Sequence, residues 1–207
     1  MHTTETRKNA IEESLIHLCK MIGTVQIGRK EQFPYGWRNA AKGRTVWRIL
    51  EELITQNIEL HHKDLGFAEI QPASSEVGVY DFQCRVEGDD LPVYINVKSA
   101  VVGGRSNKDD ISKALKLQEF YADQPNAELF VATLFIRFNS DMSIDLTNAA
   151  VFPLAWLPDI YVNPSNNGNL QSSKYKDISS AIQRSNQEFR DLLALEIEAA
   201  RRKKNKS

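Results

Sequence analysis

The chain has 207 residues, 42% of them hydrophobic and 26% charged, with a net charge of −1. This is the size of one domain with a real core and a polar surface, and no run of about 18 apolar residues offers a membrane span. MHTTETRKNA lacks the apolar stretch of a secretory signal, and two cysteines, Cys19 and Cys84, are too few for a disulfide scaffold and lack the CxxC spacing of a zinc site, so a cytoplasmic location is expected.

Apolar residues at Ile11, Leu15, Leu18 and Ile22 recur at helical spacing and predict an amphipathic helix over 5–22. Residues 23–43 read as a loop rich in glycine, with Phe33, Tyr35 and Trp37 interleaved with Arg29, Lys30 and Arg38. A second helix is predicted from Arg44 to Leu60, its stripe carried by Val46, Leu50, Leu53 and Ile54. A short strand follows at 67–70, then strands at 77–86 and 91–101 joined by the hairpin turn Glu87-Gly88-Asp89-Asp90. Residues 108–122 read as a helix and 129–138, LFVATLFIRF, as a strand, so that 93–138 forms a βαβ crossover. Residues 149–157 predict a further strand or buried turn, 163–176 a polar loop, and 178–202 a long helix with Ile182, Phe189, Leu192, Leu193 and Leu195 inward.

Charge is unevenly spread. Residues 1–50 hold nine Lys/Arg against four Asp/Glu, residues 51–97 two against ten, and residues 168–207 carry a surplus of four cations. Acid in the middle and base at the flanks suits a protein that holds a divalent cation beside a phosphate, although chance variation of surface charge gives the same picture.

The stretch with chemistry is Val79-Tyr-Asp-Phe-Gln-Cys-Arg-Val86 followed by Val93-Tyr-Ile-Asn-Val-Lys-Ser99. Side chains alternate faces along a strand. Tyr80, Phe82, Cys84 and Val86 are expected on one face of the first strand, and Asp81, Gln83 and Arg85 on the other. In the second, Val93, Ile95 and Val97 oppose Tyr94, Asn96 and Lys98. If the strands pair as a hairpin, Asp81, Asn96 and Lys98 converge. The aspartate and amide oxygens suit Mg²⁺, and the lysine orients or deprotonates a water and balances developing charge. A half-exposed sheet with one polar face has the same pattern.

These residues resemble the PD-(D/E)xK nucleases, and among them the type II restriction endonucleases. The motif falls on Asp81 and on Asn96-Val97-Lys98, with Tyr80 in place of proline and Asn96 in place of a carboxylate. An amide oxygen coordinates a cation but brings no charge. The family often adds a glutamate from the preceding helix. Glu51 lies about 100° round from Leu50, at the margin of the apolar stripe, whereas Glu52 points about 200° away, so Glu51 is chosen. The resemblance covers residues 43–138 and implies an α/β restriction-endonuclease-like core: a central mixed β-sheet flanked by helices, in one nuclease domain with a long C-terminal helix. It implies Mg²⁺ as cofactor, double-stranded DNA as partner, phosphodiester hydrolysis leaving 5′ phosphates, and a homodimer on a palindromic site. Catalytic roles then fall to Asp81, Lys98, Asn96 and Glu51, with Asp81, Asn96 and Glu51 as metal ligands.

Gly103 and Gly104 after the motif permit close approach to a ligand, placing Arg105, Asn107 and Lys108 near DNA; Asn107 as a plain helix cap is the alternative. Asn169, Gln171 and Lys174 in the polar loop are candidate DNA contacts, since Asn and Gln read adenine edges and Lys reads guanine or phosphate. A repair nuclease or junction resolvase of the same fold, and a non-catalytic α/β DNA-binding domain, are the alternative readings.

Overall fold

A computed structural model describes residues 3–38, 42–73, 78–104, 108–165 and 168–205, without the side chains of 42–45. Helix α1 spans Thr4–Ile22 and opens on Thr3, whose hydroxyl accepts from the Thr6 N–H at 3.1 Å. It buries Ile11, Leu15 and Leu18, one stripe at helical spacing. Helix α2 spans Lys42–His61, and Val46, Leu50, Ile54 and Ile58 form its fully buried ridge.

The main sheet has six strands: β1 (Thr24–Gln26), β2 (Phe67–Pro72), β3 (Phe82–Val86), β4 (Val93–Val101), β6 (Glu128–Phe138) and β7 (Ser143–Pro153), in the order β1-β7-β6-β4-β3-β2. β3 and β4 pair antiparallel, as the hairpin turn predicts; β4 and β6 pair parallel in an unbroken register from Val93↔Glu128 to Val101↔Ile136. The crossover between them holds β5 (Asp109–Lys113) and helix α3 (Ala114–Asp123). A second sheet, β5-β9-β8, joins β5 to β9 (Asn169–Ser172) and β8 (Tyr161–Val162). Helix α4, Asn186–Lys204, closes the chain.

Each face of the main sheet carries a core. Val93, Ile95 and Val97 of β4 pack with α1 and α2 on one side. Tyr94, with Leu129 and Val131 of β6, packs with α3, α4 and the small sheet on the other. Alternation along β4 therefore places Asn96 and Lys98 on the face that carries Tyr94. The mixed sheet, its flanking helices and the C-terminal helix are as the sequence predicts.

Several details differ. β3 begins at Phe82, and Tyr80 packs with the second core rather than beside Phe82, because the chain turns off the strand before that point. Residues 109–113 are a strand, not the first turn of a helix: Ile111 is buried through β5, and Leu115 is exposed. The loop expected at 163–176 contains β9, and the loop at 23–43 contains β1. The final helix starts at 186, not 178. A capping box fixes its start, Ser185 accepting from the Glu188 N–H while Glu188 accepts from the Ser185 N–H. Its buried face is Phe189, Leu193 and Ile197, so Ile182, Leu192 and Leu195 stand exposed.

One buried charge cluster ties the layers together. Arg7 of α1 donates to both carboxylate oxygens of Asp89 in the β3–β4 turn, at 2.5 and 3.0 Å, and lies 3.2 Å from Glu128 at the start of β6.

Candidate active site

β3 pairs with β4 only as far as Phe82↔Ile95. Beyond that step β4 runs on to Val101 with β6 as its one ladder partner among the described strands. The sheet therefore forks, and Asp81, Asn96 and Lys98 stand at the fork. The backbone of Asp81 is held on both sides: its N–H donates to Ile95 at 2.8 Å, and its carbonyl accepts from Ala73 at 2.8 Å. Its carboxylate takes the place of the missing strand, Oδ2 accepting from the Val97 N–H at 2.5 Å.

A cavity of about 360 Å³ opens there. Asp81, Asn96, Val97 and Lys98 line it from the sheet, and Trp47, Arg48 and Glu51 from α2. Asp110, Ser112 and Lys113 of β5 and Asn169 of β9 form the opposite wall. Glu51 reaches the fork because it follows the buried Leu50 by one residue, about 100° round the helix. Glu52 is exposed and accepts from Gln56 at 2.8 Å.

The charges in the cavity act on one another. Burial pushes the Glu51 carboxyl up to about 7; the negative charge of Asp81 adds to this, and Lys98 and Arg48 oppose it. Burial also holds Asp81 above its ordinary value, against the Val97 N–H and Lys98. In the metal-free protein Glu51 is therefore protonated in the folded state between its ordinary value and about 7, while the unfolded chain is ionised there. The folded state binds the extra proton, so its stability falls as pH rises through that window. Glu51→Gln is expected to melt higher than the parent at pH 8, the gap closing as pH drops towards 4.5; a lower melting point at pH 8 contradicts this.

Asn96 is 7% exposed. Its Nδ2 donates to Val79 at 3.0 Å, which fixes the amide, and its Oδ1 is buried without a hydrogen-bond partner. Among the described residues no three His, Cys, Asp or Glu side chains gather closely enough to hold a metal. The donor set at the fork is instead two carboxylates, Glu51 and Asp81, and one orphaned amide oxygen. An all-oxygen set with an unsatisfied acceptor fits a hard divalent cation.

The remaining expected residues are dispersed. Asn169 lines the cavity, its Oδ1 also buried without a partner. Gln171 is engaged on both sides, donating to Asp110 at 2.6 Å and accepting from Asn163 at 3.2 Å. Lys108 is exposed, its ammonium 4.3 Å from the centre of the Tyr161 ring. Lys174 is exposed on the turn after β9. Arg105 and Asn107 lie outside the described residues. Trp47, Arg48 and Lys113 line the cavity without having been singled out in the sequence. Trp47 and Arg48 sit four and three residues before Glu51, a helical spacing that could have marked them.

No protein-family model matches the sequence, and no curated protein matches it. In structure the chain is similar to the NlaIV restriction endonuclease, with a TM-score of 0.51 over 100% of this chain and 91% of that one, at 10% identity. The fold is restriction-endonuclease-like. In this restriction-endonuclease-like core the fork between β3 and β4 is where the polar residues meet. No helix among the described residues is long and apolar enough to cross a membrane.

Proposed function

We propose that the chain is a Mg²⁺-dependent, sequence-specific endonuclease of double-stranded DNA, of the type II restriction class. Asp81 and Asn96-Val97-Lys98 are read as its PD-(D/E)xK motif, and residues 1–207 as one nuclease domain acting as a homodimer in the cytoplasm. The observation that carries this reading is the meeting of Glu51, Asp81, Asn96 and Lys98 in one cavity of a restriction-endonuclease-like fold.

Glu51, Asp81 and Asn96 Oδ1 are the residues that would hold Mg²⁺, which when bound supplies charge neutralisation and a more acidic water. Asp81 is held ready by the Val97 N–H, and Asn96 by the Val79 carbonyl. Lys98 orients the attacking water, whose proton is released to solvent, and its positive charge offsets the negative charge that grows on the phosphate oxygens. The water oxygen bonds to phosphorus as the bond to the 3′ oxygen breaks, leaving a 5′ phosphate. The scissile phosphodiester is assigned to the cavity between the sheet and the β5–β9 wall. Arg105, Asn107, Lys108, Asn169, Gln171 and Lys174 are assigned to DNA contact, Gln171 after exchange of its present partners.

Supercoiled plasmid incubated with the full chain and Mg²⁺ tests this. Discrete linear bands are expected, with none in EDTA. Structure-selective cuts at junctions or flaps would instead place the chain among repair nucleases. Intact plasmid at every Mg²⁺ concentration would remove the catalytic reading.

A further inference from the structure

From Leu129 to Ile136 strand β6 reads Leu-Phe-Val-Ala-Thr-Leu-Phe-Ile, and Thr133 is the one residue of that run that is not hydrophobic. It is fully buried, at 0% exposure, and among the described residues its Oγ1 has no hydrogen-bond partner. A hydroxyl taken out of water without a partner is destabilising. Valine has the same branched shape and the same preference for strands without that cost, so neither packing nor propensity accounts for a threonine here.

The register of the sheet places Thr133 next to Lys98. β4 and β6 pair in parallel as Tyr94↔Leu129, Asn96↔Val131 and Lys98↔Thr133. Leu129 and Val131 belong to the second core with Tyr94, so Thr133 shares the face of the fork, one strand away from Lys98. Neighbouring strands run about 4.8 Å apart, within the reach of a lysine side chain. Among the described residues no hydrogen bond or ion pair holds the Lys98 ammonium; it acts on Glu51 and Asp81 through space. Those two carboxylates and Asn96 Oδ1 are assigned above to the cation, so none of them is left to hold the lysine. The acceptor that the sheet itself offers beside it is Thr133 Oγ1.

We propose that Thr133 is a positioning residue of the cleavage reaction: its buried hydroxyl accepts a hydrogen bond from Lys98 Nζ when the cation site is filled, and fixes the ammonium towards the attacking water and the scissile phosphate. An ammonium has three donors, so one bond to Thr133 leaves two for water and a phosphate oxygen. The four-carbon stem of a lysine is flexible, and an anchor at its tip limits the rotamers it samples. The unpartnered hydroxyl of the metal-free protein is then a group kept for function despite its cost in stability. The proposal rests on the nuclease reading of this cavity.

The test uses the full chain with Thr133→Val, with Thr133→Ser, and with Thr133→Val added to Lys98→Ala. Thr133→Val is expected to lower the single-turnover rate of plasmid cleavage at saturating Mg²⁺ by about 10–100-fold, the range for losing an outer-shell partner. Its thermal midpoint in EDTA is expected at or above the parent's, because the unpartnered hydroxyl is gone. Thr133→Ser keeps the hydroxyl and loses a buried methyl, so it cleaves at a near-parental rate yet melts about 2–4 °C lower. In the Lys98→Ala background Thr133→Val changes the rate by less than about twofold, because the group it positions is absent. Duplex affinity in EDTA and the Mg²⁺ concentration for half-maximal cleavage stay at the parent's values in both Thr133 variants. A parent that cuts and a Thr133→Val variant that cuts at the same rate would overturn this role and leave the nuclease reading intact. So would a rate that follows the melting point rather than the hydroxyl, or an undiminished loss on top of Lys98→Ala. A raised Mg²⁺ requirement in Thr133→Val would place the residue behind the cation site and overturn the role too. A parent that leaves plasmid intact would remove the nuclease reading, and this role with it.

Discussion

Lys98→Ala is expected to lower the rate of plasmid cleavage by about 10²–10³-fold, the range for removing a single charge-stabilising donor. The reason lies in the fork of the sheet. Lys98 is the cation of β4 that acts electrostatically on both Glu51 and Asp81. Arg48 and Lys113 line the same cavity but belong to other elements. Duplex affinity in EDTA is expected to stay within a few fold of the parent, because a single phosphate contact adds only about 0.9 to the salt slope. The variant is expected to fold, since Lys98 is half-buried and is a member of neither hydrophobic core. Lys98→Arg is not a rescue: a planar guanidinium places its charge differently from a compact ammonium. Single-turnover cleavage, with circular dichroism as the folding control, checks this. A parent-like rate in Lys98→Ala takes the lysine out of the mechanism.

The second large effect concerns stability. Arg7→Met is expected to cost about 3–5 kcal/mol, because it removes the two guanidinium bonds to the buried Asp89 carboxylate together with the pairing to Glu128. Both partners of the Arg7–Asp89 pair are nearly inaccessible, with side-chain exposures of 5% and 6%, so water cannot substitute. For a chain of this length that is a loss of roughly 6–20 °C in melting temperature. Asp89→Ala added to Arg7→Met should recover part of it, since the carboxylate that lost its guanidinium is then gone. Urea unfolding of the two single variants and the double gives the coupling directly. A cost under about 1 kcal/mol for Arg7→Met would mean that the pair behaves like an exposed surface bridge.

Much of the scaffold of the fork is written in local pattern. The spacing of Val46, Leu50 and Ile54 predicts α2 and, from it, the side on which Glu51 rather than Glu52 faces the sheet. Alternation along 93–98 separates Val93, Ile95 and Val97 from Asn96 and Lys98, and the turn at Gly88, with φ +77°, predicts the hairpin. Arg7 is four residues before Ile11 on the buried stripe of α1, yet nothing nearby in sequence announces Asp89 as its partner; that pairing spans 82 residues. The small sheet was illegible for a physical reason. β5, Asp-Asp-Ile-Ser-Lys, and β9, Asn-Leu-Gln-Ser, are short and polar, and each exists because the other supplies its ladder. Tertiary pairing outweighs propensity there. Lys113 could be recognised only once β5 had been placed, because a lysine before Ala-Leu-Lys-Leu reads as helix interior until the strand ends at it. The start of α4, by contrast, was available: Ser185-Asn-Gln-Glu188 is a capping box, and Phe189, Leu193 and Ile197 then set its face.

The account stands on the claim that Glu51, Asp81 and the amide oxygen of Asn96 form one cation site at the end of β3. Anomalous scattering from crystals of the full chain soaked in Mn²⁺ reads this directly. The expected result is a peak between the Glu51 and Asp81 carboxylates, within coordination distance of Asn96 Oδ1, and its loss in Asp81→Ala. A well-ordered fork with no peak, or a Mn²⁺ ion bound only elsewhere on the molecule, would contradict it.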